Sequence, residues 1–243
     1  MSNSDITSAS MKEDGQQNEG ADIAADLNQF CGAFDLSQIE GPSTVLDTCC
    51  APGGFAQYLL DKGDVSSIKA FTLPSSLGVH KVFAHDPRLH VEEIDVTMLA
   101  GDIGLAAAYI PPSHPDAANF VLKNMINECE KFDLAICDGM VLRTHARLLY
   151  RKPSESYRLA STQFCMALQH VKAGGTMVIL LHKPEAFHNV KLINQFSQFS
   201  QVTLFKPTRA RTYTHRLSFY MVAKNIQPDH DAAAEILTNC KET

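Results

Sequence analysis

The sequence predicts an α/β fold: a doubly wound sheet of seven strands, mostly parallel, with the last strand antiparallel. Three observations carry this. β-Branched and apolar stretches alternate with stretches of helical periodicity along most of the 243 residues. The central strand candidates, "FDLAICDG" and "GTMVILLHK", are apolar almost throughout, as parallel strands are when helices cover both faces. Polar residues recur where the apolar runs stop: Asp47, Thr72, Asp95, Asp138 and Lys183.

The elements follow in order. The polar opening "MSNSDITSASMKEDGQQNEG" reads as a disordered tail over residues 1–20, without the apolar core of a signal peptide. A domain over 21–226 follows. It begins with a helix spaced on Ile23, Leu27, Phe30 and Phe34. "STVLDT" is strand one, and Gly53 and Gly54 open the helix "FAQYLLDKG", which Gly63 closes. "SIKAFTL" and "LHVEEID" are strands two and three. "DAANFVLKNMINECEKF" reads as a helix capped near Asp116, and "FDLAICDG" is strand four. "SYRLASTQFCMALQHVKAGG" reads as a helix with a glycine stop, and "GTMVILLHK" is strand five. "FHNVKLINQFSQF" is a helix, and "QVTLFKP" and "LSFYMVAKN" are the final strands, an antiparallel pair at one edge. Residues 227–243 read as a C-terminal tail or peripheral helix.

Composition limits the function classes. With 45% hydrophobic residues the chain builds one sizeable core. No apolar run approaches the ~20 residues that span a bilayer. Seven cysteines without a CxxC pair argue against a zinc site, and a core of this size argues against a disulfide framework. The expectation is a chain with reduced thiols, intracellular (cytoplasmic or nuclear) and not secreted. The net charge of −6 excludes a globally basic nucleic-acid binder and leaves local basic patches open.

In open α/β sheets ligands bind beyond the carboxyl ends of the strands. The turn "CCAPGG" follows strand one there. Gly53 and Gly54 remove Cβ atoms where backbone passes close to a ligand and enters a helix, and Pro52 stiffens the approach. The spacing is neither GxGxxG nor that of a P-loop.

The ordered set "VLDTCCAPGGF", "FDLAICDGM", "LQHVKAGGTMVILLHK" and "RLSFYMVAKN" resembles the FtsJ-like (RrmJ-type) methyltransferases over roughly residues 30–226. "FTLP", "DGMVLRTH", "LLHK" and "FSQFSQVTLFKP" resemble most closely FtsJ-like domain proteins of fungi. The resemblance implies a Rossmann-like fold that binds S-adenosylmethionine (SAM) and methylates ribose 2′-hydroxyls of RNA. It implies a cofactor site of Asp47, Ala51, Pro52, Gly53, Gly54, Phe55, Thr72, Asp95 and Asp138. Phe55 stands where the family usually has Trp. Asp95 matches the acid at the adenine end. It implies catalytic roles for Asp138, between cofactor and acceptor, and for Lys183, the proton acceptor.

Two departures from the family's Lys-Asp-Lys-Glu tetrad are visible. Its first lysine has no counterpart, because Lys12 is the only lysine before Lys62. Its glutamate position holds Ser218. The acid that usually ends strand two is replaced by Thr72. Glu185, His182 and His215 are the nearby candidates to substitute. Basic residues cluster in "RTHARLLYRK" and "KPTRARTYTHR", which offers Arg143, Arg147, Arg151, Lys206, Arg209 and Arg211 to RNA phosphates. The leading expectation is RNA 2′-O-methylation. Two alternatives stay open: a catalytically impaired SAM- or RNA-binding domain, and a methyltransferase of small-molecule or protein acceptors.

Overall fold

The computed structural model describes residues 19–142, 145–146, 148–207 and 217–241. A helix over 19–31 (α1) leads into β1, Thr44–Asp47. Helix α2, Gly54–Lys62, buries Phe55, Ala56, Leu59 and Leu60, an i, i+4 stripe. Each large apolar side chain fully buried there contributes roughly 1.5–3 kcal/mol. It ends at Gly63, whose N–H donates to the carbonyls of Leu59 and Leu60. Strands β2 (Ser67–Thr72), β3 (Leu89–Glu93) and β4 (Phe132–Cys137) follow. Then come α3 (Glu155–His170), β5 (Val171–His182) and α4 (Phe187–Phe196). The chain closes with β6 (Gln201–Phe205), β7 (Ser218–Lys224) and α5 (Asp231–Lys241).

The seven strands lie in the order β3-β2-β1-β4-β5-β7-β6. Neighbours from β3 to β5 are parallel. β7 inserts antiparallel between β5 and β6, with Ile179 opposite Met221 and Thr203 opposite Val222. The expected doubly wound sheet with an antiparallel last strand is therefore what the chain builds. Apolar side chains divide between its two faces. Val45, Ile68, Leu134 and Val178 pack with α1 and α2. Leu46, Phe71, Ala135 and Ile179 pack with α3, α4 and α5. No helix among the described residues is long and apolar enough to cross a membrane.

Three local expectations are corrected. The segment 116–131 is turns and loop, with no helix. Three of its amide groups are taken by distant partners. The buried Asp102 carboxylate accepts from the N–H groups of Met125 and Ile126 at 2.7–3.0 Å, and Val121 N–H donates to the Met98 carbonyl at 2.8 Å. Helical periodicity was present, but these tertiary bonds replace the i→i−4 ladder. Secondly, α3 stops at His170, not at the glycines, because Val171 already pairs with Phe132 in the sheet. Gly174 and Gly175 follow in β5, near the register shift between Phe132 and Leu134. Thirdly, Phe30 is 58% exposed and rests on Phe205 at 5.0 Å, so the apolar residues that α1 buries are Ile23, Ala24 and Leu27.

Candidate cofactor and acceptor site

Strand order reverses between β1 and β4, so the crevice of this sheet opens beyond their carboxyl ends. A cavity of about 610 Å³ occupies that place. Ala51 and Pro52 from the turn after β1 line it, with Thr72 from the end of β2, Asp95 beyond β3, and Asp138 and Gly139 beyond β4. Leu73, Ile94, Met140 and Leu142 supply apolar wall, and Glu19 and Gly20 of α1 reach its rim. The volume is that of a site for a small molecule or cofactor.

The turn that the sequence singled out is divided by the structure. Ala51 and Pro52, joined by a cis peptide bond, face the cavity. Gly53, Gly54, Phe55 and Asp47 do not line it. Gly53 has φ 104°, and a Cβ there would sit 3.3 Å from side-chain atoms of Val82 and Ala84. Its glycine is favoured by backbone conformation and by protein neighbours. Gly54 receives the close approach of Gly20 from α1. Phe55 is a core residue, stacked on Phe34 at 5.5 Å and edge-on to Tyr220 at 6.1 Å.

Asp138 is the charged centre of the site. It is half-buried, and Tyr220 donates its phenolic hydroxyl to Asp138 Oδ1 at 2.8 Å. Burial pushes its carboxyl up to about 7, against the opposing pull of that hydrogen bond. Asp47, 1% exposed behind it, is also pushed up to about 7, by burial first and by the Asp138 charge in addition. No ion pair to either carboxylate is present among the described residues.

Asp95 lines the cavity but is already engaged. Its Oδ1 accepts from the N–H and hydroxyl of Thr97, and its Oδ2 takes a 2.8 Å bond from Arg151. Arg151, 9% exposed, also bonds the Thr97 hydroxyl and both oxygens of Glu155. Arg151 is thus an internal tie between the end of β3 and the start of α3, and its expected place against RNA phosphate is withdrawn. Lys206 donates to the Ser218 carbonyl at 2.7 Å, so its ammonium is likewise engaged by the protein. Arg143, Arg147, Arg209 and Arg211 lie outside the described residues.

Lys183 follows β5 at the same edge of the sheet, exposed and outside the cavity lining. Its φ is 60°, a left-handed conformation rare for a residue with a Cβ. Its N–H donates to the Leu217 carbonyl at 2.8 Å. Its own carbonyl accepts from Ala186 N–H at 2.9 Å and from Asn189 Nδ2 at 3.0 Å.

Comparison with known proteins identifies the lineage. Residues 25–225 match the family model described as FtsJ-like methyltransferase. The chain belongs to the FtsJ-like methyltransferase family. No curated protein matches it. Among solved structures it is similar to a methyltransferase candidate from Streptococcus mutans in complex with SAH. That match has 14% identity and a TM-score of 0.41, and covers 80% of this chain and 95% of the other. It is also similar to an rRNA methylase from Streptococcus thermophilus, at 13% identity and a TM-score of 0.39, with 80% and 93% covered.

Within this FtsJ-like chain, the two described substitutes for the missing tetrad members lie outside the cavity lining. His182 and Glu185 are exposed and outside its lining, and His215 lies outside the described residues. Ser218, at the glutamate position, is fully buried and pairs with His182 in the sheet.

Sequence reasoning missed three supports. Tyr220 was read only as a strand residue, and its inward register opposite Leu180 brings its hydroxyl to Asp138. Gln163 on α3 accepts from Gly139 N–H at 2.8 Å and from the Thr48 hydroxyl at 3.1 Å, pinning the turns after β1 and β4 together. A glutamine in an otherwise apolar helical stripe was the available signal. Cys49 packs against Gly139, where a Cβ would fall 2.5 Å from Cys49 Sγ and 2.7 Å from Gln163 Oε1. Gly139→Ala is therefore expected to cost about 1–3 kcal/mol, the range of core overpacking. Chemical denaturation measures this, and Gly139→Ala in a Cys49→Ala background should recover part of the loss.

Proposed function

We propose that this FtsJ-like protein is a SAM-dependent RNA methyltransferase that modifies ribose 2′-hydroxyls. The observation that carries the reading is the cavity at the topological switch point with Asp138 in its wall. Its chemistry fits the cofactor. A carboxyl raised by burial and lacking a cation partner among the described residues favours a cationic ligand such as a sulfonium with an ammonium tail. The apolar wall of Leu73, Ile94 and Met140 suits a flat base.

When bound, SAM would supply an electrophilic sulfonium methyl group for transfer to the acceptor oxygen, its sulfur keeping the electron pair of the carbon–sulfur bond. The residues of this chain align and deprotonate. Ala51, Pro52, Thr72 and Asp138 bound the space for the donor, and alignment supplies much of the rate in such a displacement. Tyr220 fixes the Asp138 carboxylate. Lys183 stands on the acceptor side as the group that takes up the hydroxyl proton. Arg209 and Arg211 hold flanking phosphates.

The test is incubation with tritiated SAM and total cellular RNA, then nuclease digestion to locate the label. Label in alkali-resistant dinucleotides is the expected result. Label elsewhere on RNA, or only on protein or small molecules, moves the acceptor and overturns the ribose reading. RNA binding should weaken with salt, because phosphate contacts release counterions. Reversing Arg209 and Arg211 to glutamate should weaken it further, measured by fluorescence anisotropy, while SAM binding by calorimetry stays intact.

One observation favours a second reading, a SAM-binding domain that has lost catalysis: Lys183 stands outside the cavity lining and two tetrad positions differ. SAM binding without methyl transfer to any cellular fraction is the outcome that selects it.

A further inference from the structure

The loop after β5 holds its lysine in a conformation that lysine disfavours, and one side chain accounts for much of the hold. Asn189 lies in the first turn of α4 and is 3% exposed. Its Nδ2 donates to two successive carbonyls, those of His182 and Lys183. Both carbonyls flank the residue with φ 60°. Leu217 anchors the same residue from the other side, through the N–H of Lys183. A left-handed residue with a Cβ persists only where its surroundings over-determine it. Here they do so through the backbone alone, since none of these bonds touches the lysine ammonium. The side chain is left exposed at the carboxyl edge of the sheet, with its Cα–Cβ direction fixed.

We infer that Asn189 is a positioning residue for Lys183, aiming the ammonium end toward the acceptor by imposing the left-handed backbone at its root. This rests on the reading of Lys183 as the proton acceptor. A helix-start asparagine that only satisfies turn carbonyls would have the same bonds, so the test must read more than folding.

The first arm needs no activity. Lys183→Gly relieves the left-handed strain and Lys183→Ala does not, so the glycine variant should have the higher denaturation midpoint. In an Asn189→Leu background the backbone is released, and that difference should shrink or vanish. The second arm is single-turnover methyl transfer to RNA at saturating SAM, on full-length protein. Asn189→Leu should lower the rate about tenfold, with SAM affinity unchanged by calorimetry. Asn189→Ser, which keeps one donor, should retain part of the rate. In a Lys183→Ala background, Asn189→Leu should cost nothing further, because the two act as a unit. A rate loss of equal size with and without Lys183, or a folded Asn189→Leu protein at full rate, overturns the inference and leaves the functional reading standing. Wild-type protein that binds SAM but methylates no RNA overturns that reading, and the positioning role with it.

Discussion

Lys183→Ala is expected to lower methyl transfer to RNA about 100-fold or more, the scale of general-base assistance, while SAM affinity stays constant. The reasoning starts from the acceptor. A ribose hydroxyl is a weak nucleophile until its proton is taken up, and Lys183 is the family's candidate for that task. It follows β5 at the edge where the cavity opens, exposed, and outside the lining that would touch the donor. Removing it therefore withdraws proton transfer and leaves donor binding alone. Rapid-quench single-turnover rates measure the loss, and calorimetry with SAM and SAH measures the binding. Full activity in the variant moves the base elsewhere, and a parallel loss of SAM affinity makes Lys183 a donor contact instead.

The second large effect is on pH. SAM affinity should fall as pH drops below about 7, approaching tenfold per pH unit, and level off above it. The Asp138 carboxyl is pushed up to about 7 by burial, so it is largely protonated in the unliganded protein at lower pH. A cationic ligand favours the ionised form, so binding there must release a proton, and each unit of acid opposes it. Asp138→Asn should bind more weakly at neutral pH, with a flat profile. Asp47→Asn removes a neighbouring negative charge, so it should move the midpoint to lower pH. The unliganded fold carries the opposite signature. Both carboxyls ionise near 4 in the unfolded chain but near 7 in the fold. Their contribution to stability therefore declines as pH rises from about 4 to about 7 and is constant beyond. Denaturation of wild type against the two Asn variants across that window isolates the term. A pH-independent SAM affinity would remove Asp138 from the cation site.

Much of the architecture was legible because it rests on local, periodic signals. The apolar runs of β4 and β5 and the α2 stripe of Phe55, Leu59 and Leu60 report burial on both sheet faces, and alternation of strand and helix reports parallel winding. Polar residues ending those runs marked the carboxyl edge, and Ala51, Pro52, Thr72, Asp95 and Asp138 do line one cavity there.

Contacts distant in sequence carry no such signal, and they account for the rest. The segment 116–131 has helical periodicity, yet the Asp102 carboxylate and the Met98 carbonyl accept from its N–H groups and Gly101 N–H donates to its Val121 carbonyl, holding it as a loop. The sequence does not show that Gly53 meets Val82 and Ala84, that Gly54 meets α1, or that Phe55 meets Tyr220. Arg151 reads as a free surface cation until Asp95, 56 residues away, is brought against it. Tyr220 reads as a strand residue until antiparallel insertion of β7 beside β5 lays it over Asp138, 82 residues upstream. The sequence by itself determined which segments are buried and where the apolar strands end, because solvent exclusion acts residue by residue along each element. Only the tertiary structure decided which polar groups meet at those ends, because hydrogen bonds and charge pairs depend on distances that the order and direction of strands create.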